Sequence, residues 1–151
     1  MDIIAVVDPL RNPWAIVIRL VCATIVGGAI GWNRHRAGKP AGIGTHALVA
    51  LGAGLFVAIP ARLGDAHLDA ISRAVQGVAA GVGFLGAGEI FRNPGPGQRV
   101  TGLTSAAALW ATAALGLMIV CGPIREALVA SGLVLLVLEL APRLEHRLPG
   151  K

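Results

Sequence analysis

The sequence predicts an all-α fold, a polytopic membrane helical bundle of about five transmembrane helices, and three observations carry that expectation. Hydrophobic residues make up 55% of the 151-residue chain and charged residues 14%, against roughly 45–50% and ~25% in soluble domains. Mean hydropathy is +0.73. The apolar residues gather into runs separated by short turns, approximately Trp14 to Trp32, Thr45 to Leu63, Ile71 to Phe91, Thr101 to Cys121 and Ile124 to Ala141. Each run is close to the ~20 residues that a helix needs to cross hydrocarbon. The domain organisation that follows is a short extracytoplasmic segment over residues 1–13, a transmembrane domain over 14–141 and a cytoplasmic tail over 142–151.

Trp14 and Trp32 bracket the first run, where indole rings favour the two membrane interfaces. The N-terminus, MDIIAVVDPLRNPW, has no basic start, so the first run reads as an uncleaved signal anchor. The second run follows the basic, glycine-punctuated hinge that begins at Gly38. The third holds Gly77, Gly81, Gly83, Gly86 and Gly88, a density that lowers helix propensity and leaves its continuity open. In the fourth, Thr101, Ser105, Ala108 and Thr112 recur on one helical face. Such a stripe packs between helices, with the lining of a polar cavity as the alternative. The fifth approaches its end at Glu139. Pro40 with Gly42, Pro60, the NPGPG of residues 93–97 and Gly122-Pro123 mark the turns.

Charge sets the orientation. Arg34, Arg36 and Lys39 follow the first run, Arg92 and Arg99 the third, and Arg143, Arg147 and Lys151 the fifth, whereas Arg62 and Arg73 are offset by Asp65 and Asp69. The positive-inside rule then puts the N-terminus outside and the C-terminus in the cytoplasm, after an odd number of crossings. The net charge of +5 therefore belongs to loops that meet anionic lipid, and nucleic acid is not an expected partner.

The motifs of soluble enzymes fail on inspection. GVGFLG, residues 81–86, matches GxGxxG, but no preceding strand or later acidic ribose partner accompanies it. Gly38-Lys39 lacks the first P-loop glycine and is followed by Pro40. The four histidines and the two cysteines, Cys22 and Cys121, show no metal-ligand spacing, and the cysteines read as small buried hydrophobes. The chain is not expected to be an enzyme.

Gly27 with Gly31 and Gly77 with Gly81 each form GxxxG, the spacing that lets helices approach closely in lipid. These four are the expected helix-packing glycines. Ionisable residues near the bilayer are the better functional candidates, since lipid penalises them unless they are paired or hydrated. Arg19 snorkels outward or pairs with Asp69. Glu89 forms an intrahelical pair with Arg92 or, more sharply, binds a partner or cation. Glu139 faces the basic first loop, and Arg34, Arg36 and Lys39 act first as topology determinants held at headgroups.

AGKPAGIGTHALVALGAGLF (residues 37–56), QGVAAGVGFLGAGEIFR (76–92) and VTGLTSAAALWATAALG (100–116), in that order, resemble the MgtC/SapB family of bacterial inner-membrane proteins. The resemblance implies a multi-pass inner-membrane domain associated with survival under magnesium limitation and often with virulence. The family has been described as magnesium transporters. It is better regarded as regulators that act on membrane partners, including the F-type ATP synthase. Matched positions carried over as functionally sensitive are Arg36, Lys39, Pro40, Gly42, Thr45, His46, Arg73, Gln76 and Thr104, to which the residue reading adds Glu89. The chain departs from the family's pattern at Asn33 and His35, where glutamates are common, at Gly44, where arginine is usual, at Glu89, commonly apolar, and at Thr104, asparagine in some members. Members with a role in virulence add a soluble C-terminal domain, and the expectation here is of the membrane domain alone.

The expected function is therefore that of a non-catalytic membrane regulator that binds a membrane protein partner, with a Mg²⁺ transporter or channel as the alternative. Mg²⁺ prefers carboxylates with retained waters, and no Asp or Glu lies at mid-depth in any predicted span. No cofactor is expected, and Mg²⁺ has no clear ligand set. The lipid bilayer and a second copy of the chain are further expected partners.

Overall fold

A computed structural model describes residues 12–62, 67–90 and 101–145. Its elements are α1 (Pro13–Arg36), α2 (Ile43–Ala58), a 3-10 turn (Pro60–Arg62), α3 (His67–Ile90), α4 (Leu103–Cys121) and α5 (Ile124–Glu145). Among the described residues there is no strand. Helices α1, α3, α4 and α5 are long and apolar enough to cross a membrane. Helix α2 is apolar but shorter, its 16 residues rising about 24 Å.

Local chemistry explains where each helix begins and ends. At the start of α1 the Asn12 side chain accepts from the Trp14 N–H at 3.0 Å, and Pro13 takes the first helical position, where a missing N–H is harmless. The helix runs a turn past Trp32 to Arg36, so Arg34 lies inside it and not in a loop. It stops in a Schellman motif: Gly38 takes φ +67°, its N–H bonds the His35 carbonyl at 3.0 Å, and the Lys39 N–H bonds Arg34 at 3.0 Å. Helix α2 ends at Ala58 and not near Leu63, because Pro60 has no N–H to continue the ladder. Helix α3 is continuous through its glycines. Helix α4 begins two residues later than Thr101, after Gly102 takes φ +92°; a Cβ there would lie 2.6 Å from the Glu89 carbonyl oxygen.

Helix α4 is the centre of the bundle and contacts each of the other four helices. Half of its most apolar stretch is buried, compared with 17–28% for the other spans. Leu109 and Ala113 meet Ala53, Val78 and Val82 on one side, while Ala108 and Leu115 meet Ile30 and Leu138 on the other.

Small residues set the closest approaches. A Cβ on Gly27 would lie 2.5 Å from the His46 carbonyl oxygen, and one on Gly31 would lie 2.6 Å from the Gly42 oxygen and the Ile43 Cα. Only glycine lets α1 and α2 come this near. Gly77 and Gly81, expected to pack alongside them, meet nothing within 4 Å; the helix rotates that pair outward, and within the chain Gly86 instead approaches Ala106 of α4, with a Cβ position 3.3 Å away.

Candidate functional site

The close α1–α2 contact frames a polar seam against α4. Arg34 lies on the same face of α1 as Ala23, Gly27, Ile30 and Gly31, all buried, and is itself 2% exposed. Its Nη2 donates to Ser105 Oγ at 2.9 Å. Its Nε has no partner among the described residues. From α2, His46 is fully buried and its Nδ1 lies 2.8 Å from Thr112 Oγ1.

The hydroxyl of Thr112 fixes the histidine tautomer. Thr112 has one proton and gives it to the Ala108 carbonyl at 2.8 Å, so His46 carries its proton on Nδ1 and donates it to Thr112. His46 Nε2 is left holding a lone pair with no partner among the described residues. Ser105, Ala108 and Thr112 are buried on one face of α4, and two of them bond across to neighbouring helices, while Thr101 is exposed. Glu89, half-buried in the last turn of α3, supplies the carboxylate whose field reaches Arg34. Its expected partner Arg92 lies outside the described residues.

Arg19 does not pair with Asp69; its guanidinium reaches the C-terminal end of α4. Its Nη1 donates to the carbonyls of Ile119 at 2.7 Å, Val120 at 3.2 Å and Gly122 at 2.7 Å. These are the carbonyls that the end of α4 leaves without helical donors, and a cation there also complements the negative end of the helix dipole.

A second polar cluster lies between the C-terminal ends of α1 and α5. Asn33 Nδ2 donates to Glu139 Oε2 at 2.9 Å, and Arg143 bridges the other Glu139 oxygen. Both line a cleft of about 710 Å³ with Trp32 and Arg36 at its rim.

Of the other sequence-derived residues, Arg36, Lys39 and Pro40 are exposed, and Gly42 is half-buried against Gly31 while its carbonyl accepts the His46 N–H at 3.1 Å. Arg73 and Gln76 are exposed on α3. Thr104 is exposed on the first turn of α4, beside a cavity of about 290 Å³ shared with α5. Thr45 lines a groove of about 730 Å³ between α2 and α3, with Gly52, Ala53, Gly77 and Gly81 among its walls. The structure thus brings His46 together with Arg34, Ser105 and Thr112, and leaves most of the matched loop positions apart from that seam. Arg34 was legible only through its register, three residues beyond Gly31.

A model of the MgtC family matches residues 20–147. The chain belongs to the MgtC family. Relatives within it include SrpB of Synechococcus elongatus, 48% identical over 137 residues, which are 85% of this chain and 75% of SrpB. YhiD of Escherichia coli (strain K12) is 43% identical over 143 residues, 89% of this chain and 64% of YhiD, and its name gives magnesium transport as a provisional assignment. MgtC of Salmonella typhimurium (strain LT2) is 35% identical over 119 residues, 79% of this chain and 49% of MgtC. The chain therefore spans about half the length of MgtC. No solved structure matches the chain. The MgtC-family match and the apolar helices together make this a membrane protein, and none of these relatives carries an enzyme's name.

Proposed function

We propose that this MgtC-family chain is a non-catalytic protein of the bacterial inner membrane that serves adaptation to low magnesium by binding a membrane partner. The partner is another integral membrane protein, of which the F-type ATP synthase is the one the family resemblance implies. The observation that carries the reading is the open α2–α3 groove. Gly77 and Gly81 have close-packing spacing, yet a Cβ on either would meet nothing within 4 Å among the described residues, and the same holds for Gly52 opposite them. Glycine lowers helix propensity, and in lipid its benefit comes from the approach of another helix. A foreign transmembrane helix fits that role.

Orientation follows from charge. The C-terminal ends of α1 and α5 line one cleft, so Arg36 and Arg143 lie at the same end of the bundle, and the positive-inside rule puts that end in the cytoplasm. The N-terminus is then outside.

The test is affinity purification from mildly solubilised membranes. Gly77→Ile with Gly81→Ile is expected to lose the co-purifying membrane protein while the chain stays folded, and an unchanged partner set contradicts the reading. Arg36→Ala and Lys39→Ala ask whether the exposed inner end of α1 and the turn after it contribute to the same contact.

Magnesium transport is the second reading, favoured by the name of YhiD. Against it stands the polar interior, whose buried charged member is the guanidinium of Arg34, a repulsive neighbour for a divalent cation. Mg²⁺ flux into liposomes holding the purified chain, abolished by Glu89→Gln, would reverse the order of the two readings.

A further inference from the structure

The cleft between α1 and α5 is graded from apolar to charged along its length. Deeper in the bilayer its walls are Ala29, Gly132, Leu135 and Leu136; toward the helix ends they are Trp32, Asn33, Arg36, Glu139 and Arg143. A Cβ on Gly132 would meet nothing within 4 Å, so the apolar part is open at one wall. Two guanidinium groups against one carboxylate leave the charged part net positive. Glu139 is already engaged by Asn33 and Arg143, whereas Arg36 makes no ion pair among the described residues and is exposed. Pro142, also in the wall, has no N–H, so the Leu138 carbonyl four residues earlier lacks its helical donor.

We propose that this cleft is a binding site for one anionic phospholipid, with its phosphodiester at Arg36 and Arg143 and an acyl chain laid over Gly132 and Leu136. The match is one of charge and polarity together. A phosphodiester supplies a single negative charge at headgroup level, where the unpaired guanidinium stands, and its hydrocarbon tail begins where the cleft turns apolar. Basic pockets between transmembrane helices are general sites for anionic headgroups, and Trp32 at the rim suits the same interface. A zwitterionic lipid would bring a cationic headgroup whose natural counter-charge, Glu139, is already engaged by Asn33 and Arg143. Under the orientation proposed above the lipid belongs to the inner leaflet, but binding itself does not depend on that orientation.

The chain has three tryptophans, so Trp14→Phe with Trp110→Phe leaves Trp32 as the sole fluorophore at the rim. The full chain is reconstituted into phosphatidylcholine bilayers with a minor fraction of brominated phosphatidylglycerol or, separately, brominated phosphatidylcholine. Quenching of Trp32 is expected to be stronger with the glycerol lipid, by about fivefold in relative affinity for each cation that contributes. Arg36→Ala removes the charge and Gly132→Leu fills the apolar part; each is expected to bring the two lipids to equal quenching. Arg125→Ala removes the same charge from the opposite end of α5 and is expected to leave the preference intact. Equal quenching by both lipids in the unaltered cleft overturns the proposal, as does a preference that survives both cleft variants or is lost equally in Arg125→Ala. Loss of the preference on adding millimolar inorganic phosphate at constant ionic strength assigns the site to a free anion and also overturns it.

Discussion

Gly27 with Gly31 and Gly77 with Gly81 have the same spacing and opposite fates. On α1 the pair is consumed within the chain, with the backbone of α2 seated where side chains would otherwise stand. On α3 the pair faces outward along a groove, and a Cβ on either glycine would meet nothing within 4 Å among the described residues. The spacing states only that a helix can be approached closely; which helix approaches depends on the rotation of the face, fixed by the apolar residues around it. On α3, Val78 and Val82 turn inward to Leu109 and Ala113, and the neighbouring glycines are carried outward. One pair holds the bundle together, and the other is the one proposed above to receive a partner.

The largest effect is expected where the approach is used. Gly31→Ala places a methyl group against backbone atoms of α2 that cannot move aside, and overpacking of this kind costs about 3 kcal/mol. Thermal unfolding in detergent should show that loss, and an unchanged midpoint would break the contrast between the two pairs. Arg19→Ala probes the other end of α1. It strips three carbonyls at the end of α4 of a charged donor, worth about 2 kcal/mol, and Arg19→Lys should recover part of it.

Arg34→Met tests whether the seam beside the used pair serves stability or activity. Met keeps the length of the side chain and removes a buried charge whose side-chain hydrogen bond goes to Ser105; the loss for that one unpaired partner, about 1 kcal/mol, is offset in part by the desolvation cost that disappears with the charge. The chain should therefore remain folded while losing the ability to restore growth of a deletion strain in low magnesium. A variant that unfolds, or that restores growth fully, contradicts that division. The smallest effect belongs to the open pair. Gly77→Ala and Gly81→Ala should each raise stability by about 0.5–1 kcal/mol through helix propensity alone, opposite in sign to Gly31→Ala.

Most of the fold was legible in the sequence because lipid demands long apolar helices, and the five runs correspond to the five helices. Their ends were less legible, since they depend on single backbone events: the left-handed Gly102, the missing N–H of Pro60, and a first helix that ignores the interface at Trp32 and continues to Arg36. The site divides similarly. The Ser105, Ala108 and Thr112 stripe has helical period and could be read directly, and His46 came forward through resemblance. Arg34 reads in the sequence as a headgroup residue because its charge outweighs its register, although it continues the glycine face of α1. The partners of Arg19 are 100 residues and more away in sequence, and nothing local could have named them.

The claim on which this account rests is that the glycine face of α3 receives a foreign helix. A photoreactive residue placed at position 81 and activated in intact membranes tests it directly, with the same residue at position 25, on the exposed side of α1, as reference. The account predicts a cross-linked adduct with a different membrane polypeptide from position 81 and none from position 25. Lipid adducts alone at both positions, or an adduct at twice the 15.4 kDa mass of the chain, would contradict it.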